Sequence, residues 1–299
     1  MRVTTTSGIH KNMKRLIIGF VALLSLPIAS LAQSADALDG RLKKIKDSQS
    51  IGIAYRTDAA PFSFEENKQA TGYSVDLCRR IAGAIERQLG IRELKIRWVP
   101  VTSQARFEAI ARGQADMECG SSTVTLGSMK IVDFSSFTFI DGTGLIVKAS
   151  LAANALSDLG GKTIGVISGT SNELALNDAL KSRVINATVV PVKSREEGLE
   201  RVESGAIDAF ASDRVLLIAL IGKSKDPAGL ALLTDALSFE PYAIGLPRGD
   251  WQMRLAVNSA LAQIYRGGAI KEVFGRWFGA LGRPGPLMEM AFLFGALPE

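Results

Sequence analysis

The chain has little of what most enzymes use for nucleophilic or metal-assisted chemistry: its 299 residues include one histidine and two cysteines. The histidine, His10, lies in an N-terminal stretch that has the pattern of a removable leader. The rest of the chain therefore cannot form a Ser-His-Asp or Cys-His arrangement, and it cannot hold zinc through histidine. We expect no cofactor, no metal and no catalytic residue.

The first 32 residues have the layout of a secretory signal peptide. Three basic residues precede an apolar run over residues 16–28, and Ser30 and Ala32 suit a cleavage site. An uncleaved membrane anchor is the alternative, but the run is shorter than the roughly 20 residues of a spanning helix. A start at Met13 instead of the first residue stays open. We expect cleavage and a mature protein in the periplasm.

The leader and the rest of the chain differ in net charge. The whole chain carries a formal charge of +5, and its first 32 residues hold four basic side chains and no acidic one. Removing those 32 of 299 residues leaves 267 residues at +1, which gives no strong field for nucleic acid. A chain of this length suffices for two lobes with separate cores.

Cys78 and Cys119 are the only thiols. In an exported protein two cysteines often form a disulfide. Two small buried side chains without a bond would fit the same pattern. The sequence does not supply the geometry that separates these two possibilities.

Strands and helices alternate along the chain, which is typical of an α/β sheet. A second βαβαβα unit begins near residue 149, and a strand at 242–246 returns to the first unit. The apolar spacing over 250–277 predicts one long helical stretch.

Residues 102–123 carry the most functional information. Ser103 and Arg106 open an amphipathic helix that we predict over 103–111, and the short strand that follows runs into Ser121 and Thr123. Open α/β sheets bind ligands at the carboxyl ends of their strands, and helix N-termini attract anions. The arrangement suits a small carboxylate and contains no nucleophile beside a base.

Further motifs follow in a consistent order after the leader: Tyr55-Arg56, Pro61-Phe62-Ser63-Phe64, TSQARF at 102–107, ECGSST at 118–123, ISGTSNE at 167–173 and FASD at 210–213. In these motifs the chain resembles the periplasmic solute-binding proteins of polar amino-acid ABC transporters (family 3), and most nearly their glutamate/aspartate-binding branch. The combination of TSQxR with ECGS is fairly specific for that branch.

The resemblance implies a type II periplasmic binding-protein fold, in which two hinge strands join two α/β lobes and the ligand lies between them. It places lobe 1 at residues 36–147 and 244–299 and lobe 2 at 148–243. It also implies that the protein delivers an acidic amino acid to a membrane permease and catalyses no reaction. We expect a monomer.

The resemblance carries eight ligand-binding residues onto this chain: Arg56, Ser103, Arg106, Ser121, Thr123, Thr170, Arg195 and Asp213. An arginine suits this task because its planar fork binds a carboxylate through two parallel donors, and Asp213 would bind the ligand's ammonium group. Structural roles compete with these assignments, such as helix capping for Ser103 and Asp213. Arg195 stands where the branch carries histidine, and it also fits an exposed helix position facing Glu196 or Glu197.

One position departs from the family. The arginine that clamps the α-carboxylate, seven residues after the ECGS serine, is replaced by Ser128. Either Arg56, Arg106 and Thr170 take over this carboxylate, or the ligand is a dicarboxylate or another compound that is not a standard amino acid.

An enzyme is the alternative from a different class. Cyclohexadienyl and arogenate dehydratases resemble these binding proteins and act on dicarboxylates, and fold alone does not separate them. Glu173 and Asp213 would then act as general acids, which requires raised pKa values.

Overall fold

The computed structural model describes residues 37–298. The predicted signal peptide at 1–32 and the question of a start at Met13 lie outside these residues. Within 37–298, no helix combines the length and the apolar character that crossing a bilayer requires.

Residues 37–298 form nine α-helices and thirteen β-strands in an alternating order. The helices are α1 Gly40–Ser48, α2 Tyr73–Leu89, α3 Arg106–Ala111, α4 Ser171–Ser182, α5 Arg195–Ser204, α6 Arg214–Ile221, α7 Trp251–Arg266, α8 Ala269–Phe278 and α9 Pro286–Gly295. The strands are β1 Ser50–Arg56, β2 Asp58–Ala59, β3 Ser63–Glu66, β4 Gln69–Thr71, β5 Lys95–Val101, β6 Met117–Glu118, β7 Val132–Asp141, β8 Thr143–Lys148, β9 Thr163–Ile167, β10 Thr188–Val192, β11 Ala209–Asp213, β12 Leu230–Leu232 and β13 Glu240–Pro247.

The first large sheet has the strand order β5-β1-β6-β13-β7. β1 runs parallel to β5 and β6, whereas β13 is antiparallel to β6 and β7. Residues 51–56 of β1 are all buried, as expected for a central strand with both faces covered. The carboxyl ends of β1 and β6 lie at the same edge of the sheet, which brings Arg56 close to the segment after Glu118.

The second large sheet has the order β10-β9-β11-β8-β12. β9 is parallel to β10 and β11, and β8 is antiparallel to β11 and β12. Two helices that follow strands of this sheet begin with hydroxyl caps: Thr170 accepts from the Glu173 amide and Ser194 from the Glu197 amide. The sheet therefore presents two capped helix N-termini at the carboxyl ends of its parallel strands.

The chain passes between the sheets twice. β7 ends at Asp141 in the first sheet and β8 begins at Thr143 in the second, and β13 returns to the first sheet at Glu240. Both crossings precede the lobe boundaries at 147/148 and 243/244 that the resemblance suggested, because β8 pairs with β11 and the start of β13 pairs with β7. We therefore propose lobe boundaries at the crossings.

Two predicted helices differ from the structure. The long helix over 250–277 is divided into α7 and α8, because Gly268 takes φ 75, a left-handed conformation that favours glycine. The helix predicted over 103–111 begins only at Arg106. Thr102 accepts a hydrogen bond from the Ala105 amide at 3.2 Å, so residues before Arg106 form a turn instead of a first helical turn.

Aromatic side chains fill the core beside the first sheet. The ring of Phe62 lies 4.8 Å from Phe139 and 5.1 Å from Tyr242, measured between centroids. Tyr73 is also completely buried, and its hydroxyl donates to the Thr138 carbonyl at 2.7 Å. Such buried aromatic contacts stabilise a core beyond simple area burial. They attach the short β2–β3–β4 sheet, which contains the segment around Asp58, to the main sheet.

Cys78 of α2 and Cys119, the residue after β6, form a disulfide. Both cysteines are buried, and 41 residues of sequence separate them. The bond decides between the two possibilities that the sequence left open. It fixes the end of β6 to the helix that packs beneath it, directly before Gly120 and Ser121.

Replacing both cysteines by alanine is expected to destabilise the fold by roughly 4 kcal/mol, because a crosslink over a loop of this length restricts the unfolded chain. Urea unfolding of the oxidised wild type and of the Cys78→Ala/Cys119→Ala variant measures this difference. A reducing agent should destabilise the wild type and leave the variant unaffected. Equal stability of the oxidised wild type and the double variant would show that the bond contributes little to the free energy of unfolding.

Candidate ligand-binding site

The candidate site lies where strand ends of the two large sheets face each other. Direct contacts join the two sides: the Ser171 hydroxyl lies 3.3 Å from that of Thr123, and the Gln104 amide lies 3.4 Å from the Ser168 carbonyl. Thr123 follows β6 of the first sheet, and Ser171 begins α4 of the second. The strand-end loops that the sequence singled out therefore meet.

Arg56 and Arg195 converge on one carboxylate, that of Asp58. Arg56 Nη2 lies 2.6 Å and 2.8 Å from the two oxygens of Asp58. Arg195 Nη1 approaches Asp58 Oδ2 at 3.3 Å from the other sheet. Both arginines are buried, at 3% and 4% exposure. The interpretation of Arg195 as an exposed helix residue facing Glu196 or Glu197 is therefore wrong.

The pKa of Arg56 is lowered, because its guanidinium is buried near other positive charges. Burial, and after it the charge of Arg195, lowers the pKa of Arg56 to about 10. Asp58 opposes this shift through its charge and its hydrogen bonds. The Nε atom of Arg56 is buried and has no hydrogen-bond partner among residues 37–298. An unpartnered buried donor of this kind is suited to an acceptor from a ligand.

Arg106 forms a second cationic group at the start of α3. Its Nε donates to the Ser122 hydroxyl at 2.8 Å, and its Nη1 donates to the Ser103 carbonyl. The guanidinium also lies 4.1 Å from the ring centre of Phe107. Burial lowers the pKa of Arg106, and the negative charge of Glu118 partly offsets this effect.

Glu118 is a buried carboxylate that the sequence analysis missed. It is completely buried, and the Ser122 hydroxyl and the Gly120 backbone face its oxygens. Burial raises the pKa of Glu118, whereas the charges of Arg106 and Arg56 lower it. Gly120 makes room for this side chain, since a Cβ there would lie 2.3 Å from Glu118 Oε1. A glutamate two residues before a glycine was the only sequence signal.

The hydroxyl groups at the strand ends have different roles. The Ser121 hydroxyl is buried without a hydrogen-bond partner among residues 37–298, so it remains able to bind a ligand. Thr170 donates to the Ile167 carbonyl at 2.6 Å and caps α4, so its hydroxyl is already engaged. Ser103 is buried and offers its carbonyl to Arg106, but it lies before α3 and is not a helix cap.

Asp213 is buried at the end of β11, at 3% exposure, and makes no capping hydrogen bond to α6. Asp213 therefore holds the N-cap position that the sequence analysis considered, but its carboxylate does not cap the helix and is available to other partners. Its Oδ2 lies 3.7 Å from Arg195 Nη2, and its Oδ1 lies 3.4 Å from Asn172 Nδ2. Burial and the charge of Asp213 raise the pKa of Asp141 to about 7. Asp141 ends β7, next to the crossing between the sheets.

A cavity of about 260 Å³ lies beside Arg106, with Glu173 also in its lining, whereas Arg56, Arg195 and Asp213 do not line it. Its lining includes Arg106, Thr123, Thr170 and Ser128, and Arg106 is the only cationic side chain among the described residues of that lining. Ser128 forms a local hydrogen-bonded turn with Thr125, donating to its carbonyl at 3.0 Å. No guanidinium thus replaces the arginine that the family resemblance led us to expect at this position.

The structure links six of the eight predicted residues in two groups at the facing strand ends, and Ser103 and Ser121 belong to neither group. Arg56, Arg195 and Asp213 belong to one network of charges, and Arg106, Thr123 and Thr170 line the cavity. Sequence reasoning missed Asp58, Glu118 and Asn172. Asp58 lies in β2 just after Arg56, and Asn172 lies in the first turn of α4, and no local sequence pattern marks either side chain as part of the site.

Comparison with known proteins agrees with this architecture. Residues 51–280 match the family model of the bacterial extracellular solute-binding proteins, family 3. The chain belongs to this family. The resemblance drawn from the sequence motifs is thereby confirmed.

Two relatives of this solute-binding protein have names from the glutamate/aspartate branch. The L-glutamate/L-aspartate-binding protein of Pseudomonas aeruginosa is 33% identical over 86% of this chain and 84% of its own length. The glutamate/aspartate import solute-binding protein of Escherichia coli is 31% identical over 86% of this chain and 87% of its own. The match therefore spans both proteins almost from end to end.

A solved structure supports the fold of this solute-binding protein. The substrate-binding protein of an ABC uptake transporter from Streptococcus pneumoniae, with bound histidine, superposes with a TM-score of 0.71. The match covers 79% of this chain and 95% of that one at 21% identity. The predicted two-lobed α/β fold is confirmed.

The raised pKa of Asp141, at the end of β7 where the chain passes to the second sheet, can be tested by mutation. Its pKa is raised on folding, so the folded state binds the proton more tightly, and this contribution to stability is lost as the pH rises from about 4 to about 7. In the Asp141→Asn variant, unfolding by urea should depend less on pH over this range than in the wild type.

Asp213→Asn serves as the comparison for this experiment. It removes the neighbouring negative charge, so the pKa of Asp141 should fall and the pH window should move to lower values. The assignment would be contradicted if Asp141→Asn and wild type showed the same pH dependence of stability.

Proposed function

We propose that this solute-binding protein binds glutamate or aspartate in the periplasm and delivers it to the permease of an ABC transporter by hinge closure. The observation that carries the proposal is the distribution of charge in the candidate site. Arg106 stands at the cavity, Arg56 and Arg195 form a second cationic group, and Asp213 interacts with both Arg106 and Arg195.

These groups match the charges of an acidic amino acid. Arg106, with the Thr123 hydroxyl and the N-terminus of α4, suits the α-carboxylate. Arg56 and Arg195 suit the side-chain carboxylate, and Asp213 suits the α-ammonium group, which needs a partner in a dry cleft. The relatives that bind glutamate and aspartate support the same choice of ligand.

We propose that Arg106 binds the α-carboxylate, because position 128 holds serine instead of the arginine that the family resemblance led us to expect there. Ser128 is engaged with Thr125, and Arg106 is the cation that the described lining of the cavity offers. A ligand with a carboxylate at this end therefore has one guanidinium to bind. We propose that the loss of the second clamp lowers affinity and leaves the choice of ligand unchanged.

The proposed closure uses the two crossings between the sheets as a hinge. They lie at residues 141–143 and just before Glu240. Ligand contacts from both sides would hold the lobes together, as in hinge closure generally. The names of the relatives, which describe import and binding, support transport over catalysis. We propose a monomer, without the leader, as the functional form and no enzymatic activity.

A thermal-shift screen of the mature protein tests the ligand. Glutamate and aspartate should raise the melting temperature, since a ligand that binds only the folded state stabilises it by about 2.7 kcal/mol at a hundredfold excess over Kd. Glutamine, arginine, succinate and prephenate serve as comparisons. A shift with succinate or prephenate but with no amino acid would reject the proposal in favour of a dicarboxylate binder or a dehydratase-like enzyme.

Asp213→Asn tests the role of the ammonium partner. Glutamate affinity should fall about 100-fold or more, because removing one member of a buried charge pair costs several kcal/mol. Glutarate has both carboxylates and no ammonium group, so its affinity should not fall. Isothermal titration calorimetry measures both ligands, and an equal loss for the two would assign Asp213 a structural role.

A further inference from the structure

Asp58 uses the donors that a ligand's side-chain carboxylate would need. Both of its oxygens contact Arg56 Nη2, at 2.6 Å and 2.8 Å, and Oδ2 also approaches Arg195 Nη1 at 3.3 Å. The two arginine side chains are 4% and 5% exposed, whereas that of Asp58 is 25% exposed. Asp58 is thus the accessible member of a buried network, and it connects the two sheets.

The free space differs between the two arginine groups. A cavity of about 10 Å³ borders Asp58 and Arg195 together with residues of α6, and Arg56 is not part of its lining; it holds no more than a single water molecule. The cavity beside Arg106 measures about 260 Å³. A ligand can place one end against Arg106 without rearrangement, but a carboxylate can take the Nη donors that Asp58 holds on Arg56 and Arg195 only if Asp58 moves away. Arg56 Nε stays without a partner among residues 37–298.

Charge adds to this steric restriction. A second carboxylate near Arg56 and Arg195 would meet the negative charge of Asp58, and like charges in a buried site disfavour each other strongly. A side-chain amide has no net charge, and it can both donate to Asp58 and accept from an arginine. The effect of Asp58 therefore differs between a carboxylate and an amide of the same shape.

We propose that Asp58 is a specificity-determining residue, an internal carboxylate that competes with the ligand's side-chain carboxylate for Arg56 and Arg195. This inference rests on the proposed function, since it assumes that these arginines receive the ligand's side chain. Asp58 reduces the preference of the site for glutamate over glutamine. A displaced Asp58 also releases the contact that it makes across the two sheets.

The Asp58→Asn variant tests the inference, because asparagine keeps the shape and removes the charge. Its affinity for glutamate, measured by calorimetry, should rise about tenfold or more, in line with the loss of a like-charge contact. Its affinity for glutamine should stay the same or fall. The ratio of the two affinities is the decisive quantity, because a change in stability alone alters both in parallel.

Asp235→Asn is the matched control. Asp235 forms an ion pair with Arg183 at 2.7 Å away from the candidate site, so the variant loses a paired carboxylate without touching the cleft. Its glutamate and glutamine affinities should equal those of the wild type. Asp58→Ser repeats the test with a small side chain if Asp58→Asn does not fold, as judged by circular dichroism and melting temperature.

Sulfate separates failure of this inference from failure of the proposed function. If the arginines become accessible, sulfate should stabilise the Asp58 variant more than the wild type, whatever amino acid is bound. A gain with sulfate but no binding of either amino acid would reject the proposed function and show only that Asp58 blocks anions from the two arginines. Unchanged or weaker glutamate binding without a gain from sulfate would overturn the inference, and Asp58 would then be a structural counter-ion.

Discussion

Burial of guanidinium groups against a small number of carboxylates is the constraint on which the rest of the site depends. Arg56 and Arg195 are almost completely removed from solvent, and a buried charge without a partner is strongly destabilising. Asp58 and Asp213 supply the partners, each by contact with Arg195. These groups belong to different sheets, so the charge balance also fixes how the facing strand ends meet.

The scaffold places these charges through ordinary packing. The aromatic core around Phe62 anchors the β2–β3–β4 excursion, which carries Asp58, onto the first sheet. The disulfide holds Cys119 at the end of β6, so Glu118 and Gly120 on either side of it have little freedom. Glu118 then lies close enough to Arg106 and Arg56 for their charges to lower its pKa. Rigid elements thus carry the charged groups, as precise sites generally require.

The two ends of the candidate site are built differently. At one end, Arg106 and a helix N-terminus border an open cavity. At the other end, two arginines are engaged by Asp58. Under the proposed function, the part common to all amino acids meets the open end and the side chain meets the end that Asp58 occupies. The residue at position 58 then matters as much as the arginines themselves.

The motifs determined more of the fold than periodicity alone could. Strand–helix alternation indicated an α/β protein, and the ordered motifs indicated its family. The spacing did not reveal that Gly268 would divide a helix, since helical apolar spacing continues across it. It also did not reveal that Thr102 would form a turn and delay α3 to Arg106, because a hydroxyl residue there reads equally well as a cap.

By itself, the sequence determined the residue types of the site: arginines, hydroxyl residues and one acid at predicted strand ends, without histidine. Only the tertiary structure decided their partners. Asp58 is two residues from Arg56, but its contact with Arg195 spans 137 positions of sequence. The bond between Cys78 and Cys119 likewise depends on how α2 packs against the first sheet. Such contacts are set by sheet order and burial, which no local pattern encodes.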